Sequence, residues 1–291
     1  MFKGSIVALV TPFKDNRVDY DKLEELINWH IDKGTSGIVP CGTTGESATL
    51  SHQEHKDVIK FTVEAVKKRI PVIAGTGSNN TIEALELTEF AETIGADGAL
   101  LITPYYNKPT QEGLYRHFRI IAENTGIPLV LYNVPSRTGV NMLPSTVARL
   151  AEFKNVVAVK EASGVTDQSV EILQLTKGKV RILSGDDSLF LPLMAIGGDG
   201  VISVVANVVP ADVRRLYDSY MAKDLEKAKE INLKLYPLTK AMFIETNPIP
   251  VKTALFLMGK IGDEIRLPMC PPTPATLEKL KSVMMEYGGL I

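Results

Sequence analysis

The sequence predicts a TIM (β/α)8 barrel with a small C-terminal helical domain. Three observations carry that expectation. Eight short runs rich in β-branched residues recur along the first 220 residues, at 6–10, 37–39, 72–75, 99–103, 129–133, 156–160, 180–185 and 201–207. They are near-continuously apolar rather than alternating, as parallel strands covered on both faces must be. Helical periodicity fills the stretches between them, and each unit of about 20–33 residues has the size of a βα unit. A doubly wound sheet is the competing arrangement, but no Gly-x-Gly-x-x-Gly follows the first run.

In chain order, the first helix is marked by Leu23, Leu26, Ile27 and Ile31 on one face. The second run ends in Gly42-Thr-Thr-Gly-Glu46 and leads to Ser51-x-x-Glu54, a capping-box pattern. The third run ends in Gly75-Thr-Gly-Ser-Asn79, and Asn80 with Glu83 three residues later reads as another helix start. The fourth ends in Thr103-Pro-Tyr-Tyr-Asn107 and the fifth in Tyr132-Asn-Val-Pro-Ser-Arg-Thr-Gly139. The sixth stops on Lys160, the seventh on Ser184-Gly-Asp-Asp187 and the eighth on Asn207. Gly197-Gly-Asp-Gly200 precedes a strand rather than a helix, so it reads as a tight turn and not a phosphate cradle. We divide the chain into a catalytic barrel, residues 1–224, and a helical domain, residues 225–291. In the latter, 225–235 is amphipathic, Pro248 and Pro250 interrupt, 250–257 resumes, and Thr273 with Pro274 starts the last helix.

Composition narrows the function. The 291 residues carry a net charge of −2, with 45% hydrophobic and 23% charged residues. No basic footprint for nucleic acid or anionic membrane is expected, and no apolar run reaches the 18 residues of a membrane span. The N-terminus lacks the pattern of a signal peptide. The two cysteines, Cys41 and Cys270, lack CxxC spacing, which fits a reduced, cytoplasmic protein.

Chemistry in such a barrel sits at the carboxyl ends of the strands. Lys160 is the residue of most unusual type there, since it follows four apolar residues. Burying an ammonium is costly, yet desolvation lowers a lysine pKa and frees the amine to attack a carbonyl. A strand-end lysine that snorkels to water is the alternative. Tyr132, one strand earlier, can shuttle protons or simply pack. Thr43 and Thr44 can cradle a carboxylate, although any tight turn can read Gly-Thr-Thr-Gly. Arg137 offers a fork for a carboxylate or a loop salt bridge. The four histidines, His30, His52, His55 and His117, lie outside the strand ends and form no metal motif, so no metal and no cofactor is expected.

These motifs, from Gly4-Ser-Ile-Val through Asn247-Pro-Ile-Pro-Val-Lys252 to Arg266-Leu-Pro268, resemble the pyruvate-dependent class I aldolase family that includes N-acetylneuraminate lyase. Within it, they closely resemble the dihydrodipicolinate synthase branch. The resemblance implies a Schiff base between Lys160 and pyruvate. It implies a proton relay of Tyr132, Thr43 and Tyr106, with Tyr106 supplied to a neighbouring subunit. Substrate-binding positions would be Thr44, Arg137, Gly185 and Ile202, with Arg137 holding the carboxylate of L-aspartate 4-semialdehyde. A homotetramer built as a dimer of dimers is implied, acting at the first committed step of lysine biosynthesis through diaminopimelate.

Ser47, Ala48, His52, His55, Asn79, Glu83 and Tyr105 match the positions that bind L-lysine in the inhibited members of that family, which implies feedback inhibition at a separate site. Helix capping by Ser51/Glu54 and Asn80/Glu83 is the plainer account of part of this set. Two other functions remain open at this level: a related keto-deoxy sugar acid aldolase or dehydratase, and a barrel that binds a ligand without catalysis.

Overall fold

The computed structural model describes residues 2–291. Eight parallel strands form the barrel: β1 Gly4–Ala8, β2 Gly37–Val39, β3 Ile73–Gly75, β4 Gly98–Ile102, β5 Leu129–Asn133, β6 Val156–Glu161, β7 Arg181–Ser184 and β8 Gly200–Ser203. They hydrogen-bond in the order β2-β1-β8-β7-β6-β5-β4-β3, and a parallel bridge between Ile38 and Val72 joins the two ends. Each strand is followed by a helix: α1 Tyr20–Asp32, α2 His52–Val66, α3 Thr81–Thr93, α4 Gln111–Asn124, α5 Pro144–Leu150, α6 Thr166–Thr176, α7 Phe190–Ala195 and α8 Pro210–Met221. The expected (β/α)8 barrel is the observed fold.

Side-chain alternation divides the core into two layers. Ile6, Ala8, Val39, Ile73, Leu100, Val130, Ala158, Leu183 and Ile202 point into the barrel. Val7, Leu9, Leu131, Val159, Ile182 and Val201 point outward into the layer shared with the helices. Both faces of every strand are thus apolar, which explains the unbroken runs.

The boundaries differ most at the ends of the barrel. The first strand is Gly4–Ala8 rather than 6–10, because the chain then turns into an unexpected hairpin, Phe13–Lys14 paired with Arg17–Val18. Its turn residues Asp15 and Asn16 both take left-handed backbone angles (φ 52° and 57°), which Asp and Asn tolerate well. The eighth strand stops at Ser203, and a single 3₁₀ turn, Val205–Asn207, follows. Asn207 therefore does not reach the rim with the other strand-end residues. Its amide donates to Ala8 O (2.8 Å) and Val204 O (3.0 Å) and accepts from Val10 N (3.2 Å), bracing β1 against the end of β8. The 197–200 segment is the expected tight turn. A Cβ on Gly200 would lie 2.3 Å from Gly4 O, so only glycine allows these two strands to approach.

After residue 224 the chain is helical: α9 Leu225–Ala241, α10 Ile249–Leu257 and α11 Pro274–Gly288. α9 runs beyond the amphipathic stretch to Ala241, passing through Pro237 in its interior. Thr273 caps α11 by accepting from Thr276 N at 3.3 Å, with Pro274 in the first turn. α9 packs on α8, and α11 packs on α9 and α10. Among the described residues no helix is long and apolar enough to cross a membrane.

Candidate active site and adjoining cavity

Strand parity decides where the strand-end residues point. Ala158 faces the barrel interior, so Lys160 two residues on does too. Lys160 pairs in register with Tyr132 across β6 and β5, and its Nζ lies 4.0 Å from the centre of the Tyr132 ring. Only 5% of Lys160 is exposed, so it does not snorkel to water. Burial pushes the ammonium down to about 7, with Asp187 opposing and Arg137 reinforcing that fall. Burial pushes the Tyr132 phenol up to about 12. Near neutral pH the lysine is divided between amine and ammonium, while the tyrosine keeps its proton. One group can attack a carbonyl and the other can donate a hydrogen bond.

Gly185 makes room for that lysine. A Cβ there would lie 3.1 Å from Lys160 Cε and 2.7 Å from Ala162 Cβ. Next to it, Asp187 accepts from the backbone N–H of Val204 (2.9 Å) and Val205 (3.0 Å), tying the end of β7 to the end of β8.

The Gly42–Glu46 turn forms the opposite wall. The N–H groups of Gly45 and Ser47 bond to Gly42 O, and that of Glu46 to Thr43 O. Cys41 and Glu46 flank the two threonines with left-handed backbone angles (φ 54° and 53°), an uncommon conformation for such residues. Thr44 is buried, and its hydroxyl accepts from Asn247 Nδ2 at 3.0 Å. Arg137, in the helical turn Pro135–Thr138, donates through Nη2 to Asn247 O at 3.0 Å. It holds a backbone carbonyl rather than a carboxylate, so the loop salt bridge is not what positions it.

Lys160, Tyr132, Thr43, Thr44, Arg137 and Gly185 line one cavity of about 680 Å³. Two residues of the sequence-derived set are not brought to it by this chain. Ile202 is fully buried in the barrel-interior layer, where its parity with Gly200 puts it. Tyr106 has a left-handed backbone (φ 71°) and is 89% exposed, pointing away from the cavity of its own chain.

A second cavity of about 500 Å³ adjoins the first and shares Thr43, Tyr132 and Arg137 with it. Ser47, Ala48, His52, His55, Glu83 and Tyr105 line it. Asn79 stands behind the wall, donating to Tyr105 O at 3.2 Å. His55 is buried, lies 2.6 Å from Gly75 O through Nε2, and is pushed down by burial. The expected capping box at Ser51 and Glu54 is present. At α3, Asn80 caps Ile82 N, but Glu83 instead accepts from the Ser78 hydroxyl at 2.8 Å. Capping therefore does not account for Glu83.

Sequence reasoning gave no role to the segment that supplies Asn247. Farther along it, Lys252 is buried and paired with Glu46. Glu46 also accepts from Arg266 N, and the Arg266 guanidinium pairs with Glu54 at 2.7 Å, pulling that carboxyl down to about 2. Residues 247–266 thus grip the loop that carries Thr43 and Thr44. A signal was present: Lys252 interrupts the apolar stretch 249–257 as Lys160 ends the apolar run before it. Among the described residues no group of three or more His, Cys, Asp or Glu is arranged to hold a metal ion.

Comparison with known proteins agrees with this geometry. Residues 1–286 match the model of the dihydrodipicolinate synthetase family. A 4-hydroxy-tetrahydrodipicolinate synthase of Geobacter metallireducens is 59% identical over 287 residues, 99% of each chain. A chloride-inhibited dihydrodipicolinate synthase from Acinetobacter baumannii, solved in complex with pyruvate, superposes with a TM-score of 0.97 at 49% identity over 99% of each chain. A synthase from Cyanidioschyzon merolae, solved with lysine bound, superposes with a TM-score of 0.96 at 41% identity, covering 100% of this chain and 99% of that one.

Proposed function

The chain belongs to the dihydrodipicolinate synthetase family, and we propose that it is a lyase performing the 4-hydroxy-tetrahydrodipicolinate synthase reaction of lysine biosynthesis through diaminopimelate. The observation that carries this reading is Lys160, buried beside Tyr132 and pushed down to about 7. The neutral Nζ attacks the keto carbon of pyruvate, water leaves, and an iminium forms. Loss of a methyl proton gives the enamine, which attacks the aldehyde carbon of L-aspartate 4-semialdehyde. The amino group of that second substrate then displaces Lys160 as the ring closes. Tyr132 and Thr43 carry protons through these steps. The turn at Thr44 receives the pyruvate carboxylate, and Arg137 receives that of the semialdehyde, which favours this substrate over a polyol.

Tyr106, exposed in the single chain, serves a neighbouring subunit in a homotetramer built as a dimer of dimers. The second cavity is the site of L-lysine inhibition. Glu83 takes the α-ammonium, the Tyr105 side holds the carboxylate, and His52 and His55 line the path of the long chain. The two free cysteines suit a cytoplasmic enzyme. Borohydride reduction with pyruvate tests the central step and is expected to fix a three-carbon adduct on the peptide containing Lys160. An unmodified Lys160 rejects the mechanism. Turnover with L-aspartate 4-semialdehyde but not with sialic acid tests the substrate. L-lysine, but not D-lysine, is expected to lower turnover, and Glu83→Ala to relieve the inhibition.

A further inference from the structure

The outer face of the strand ends that carry Tyr132 and Lys160 holds a closed set of amides around one buried carboxylate. β5 and β6 pair Tyr132 with Lys160 and Asn133 with Glu161. Parity sends the first pair into the barrel and the second toward the helices. Glu161 accepts from Asn133 Nδ2 at 3.1 Å, Gln168 Nε2 at 3.0 Å and Ser163 N at 2.6 Å. Asn133 Nδ2 also donates to Asn141 Oδ1 at 2.8 Å, and Asn141 Nδ2 donates to Gln168 Oε1 at 2.9 Å. Asn133 Oδ1 accepts from Met142 N at 2.9 Å, so this amide cannot turn over without losing a buried bond. The donors and acceptors are therefore fixed in one pattern, and only an acceptor fits at Glu161.

We propose that Glu161 is a positioning residue for the Schiff-base chemistry, clamping β5 and β6 from outside the barrel so that Lys160 and Tyr132 keep their mutual placement inside it. The proposal rests on the assignment of Lys160 as the nucleophile. Its physical basis is that the clamp acts one residue away from both reacting side chains, on the same pair of strands. A displacement of about 1 Å between reacting groups costs on the order of 100-fold in rate.

Glu161→Gln preserves shape but sets an amide N–H against the Asn133 and Gln168 donors. The exchanged pair Asn133→Asp with Glu161→Gln restores a donor facing an acceptor, because the carboxylate then at position 133 accepts from Met142 N through either oxygen and the Asn141 and Gln168 amides, held by no backbone bond, turn over together. Borohydride-trapped adduct formation at saturating pyruvate, kcat, the pyruvate KM and the melting temperature are measured for each. Glu161→Gln is expected to slow trapping and kcat by roughly 10–100-fold, to change KM far less, and to remain folded at the assay temperature. The exchanged pair is expected to recover most of the rate. Unchanged trapping in Glu161→Gln overturns the proposal, and so does an exchanged pair that regains melting temperature without regaining rate. Should Glu161→Gln not accumulate as folded protein, Gln168→Met removes one outer donor and supplies the same readout. A smaller slowing of trapping supports the clamp, and a wild-type rate overturns it. Wild-type protein is the control for the underlying assignment. Absence of its own Lys160 adduct rejects the nucleophile, whereas a normal wild-type adduct with unaffected variants rejects only the clamp.

Discussion

Two lysines are buried in this molecule, and they are buried differently. Lys160 at the barrel rim is 5% exposed and Lys252 in α10 is 2% exposed. Each ammonium sits over an aromatic ring, Lys160 at 4.0 Å from Tyr132 and Lys252 at 4.2 Å from Phe13. Burial pushes both below the usual lysine value. The difference is the counter-charge. Lys252 touches the Glu46 carboxylate, which works against that fall, whereas Lys160 has the Asp187 charge acting on it without an ion-pair contact. A buried lysine with a partner is a fastener. One without a partner is held ready to lose its proton, and it faces a cavity.

Lys160→Met breaks the comparison most sharply. Turnover is expected to fall by roughly 10³-fold or more, since the proposed nucleophile is lost. Stability is expected to move the other way. The folded-state value of about 7 lies below the ordinary lysine value of 10.5, so the unfolded chain binds more protons between these two pH values. The cost of the buried lysine is fully present below pH 7 and fades as pH rises toward 10.5. The variant should therefore melt several degrees (on the order of 2–6 °C) above the parent at pH 6–7, with the gain shrinking at pH 9–10. Thermal denaturation across that range checks the sign.

Lys252→Met makes the opposite case. It leaves Glu46 buried without its cation, a loss worth about 3–5 kcal/mol. Urea denaturation should report a fall of that order. Adding Glu46→Gln should return most of it, because the stranded charge is then gone. Recovery in the double variant marks the pair as a fastener, and no loss in the single variant would erase the contrast with Lys160.

The same contrast explains what was legible in the sequence. The barrel could be read because eight apolar runs at βα spacing have few other uses, and Lys160 because an ammonium ending such a run demands a reason. Thr43, Thr44, Tyr132, Arg137 and Gly185 could be read once the strand ends were assigned, since the fold gathers them on one rim. Asn247, Lys252 and Arg266 could not be given roles. They reach the site from more than 200 residues beyond Glu46 and Thr44 in the chain, and no local pattern encodes such a contact. Nor could the clamp around Glu161, which depends on which face of β6 each residue occupies. The placement of Asn207 went astray because Val-rich sequence continues past Ser203 while the backbone turns into a 3₁₀ turn. We propose that residues 225–291 act as a buttress to the barrel mouth rather than as an independent unit, since Lys252 and Asn247 both hold the Gly42–Glu46 turn.

Proton control at Lys160 offers a subtler test. Trapping of the pyruvate adduct should rise about tenfold per pH unit below 7 and level off above it, as the amine replaces the ammonium. Arg137 lowers the Lys160 value, so Arg137→Ala should carry the midpoint above 7. Trapping rates from pH 5 to 9 in both proteins measure the displacement. A midpoint that stays in place, or moves down, would show that the guanidinium does not act on the lysine.

The smallest effect is expected at Asn247, which shares a segment with the fastener yet touches the site. Its Nδ2 holds the Thr44 hydroxyl and its carbonyl holds Arg137, while its Oδ1 is buried without a partner. Asn247→Ala removes only the side-chain bond. The backbone carbonyl to Arg137 remains, so Arg137 keeps its anchor and Thr44 is freed to rotate. A neutral hydrogen bond of this kind is worth about 0.5–1.5 kcal/mol, or roughly 2–13-fold. Because the proposed reaction seats the pyruvate carboxylate at Thr44, the loss should appear mainly as a higher pyruvate KM, with the semialdehyde KM little changed. Relieving the unpartnered Oδ1 should keep the melting temperature near that of the parent. Steady-state kinetics with each substrate varied in turn separates the two subsites. If both KM values rise together, Asn247 is steadying the whole mouth as Lys252 does, and the division between fastener and site does not run through this segment.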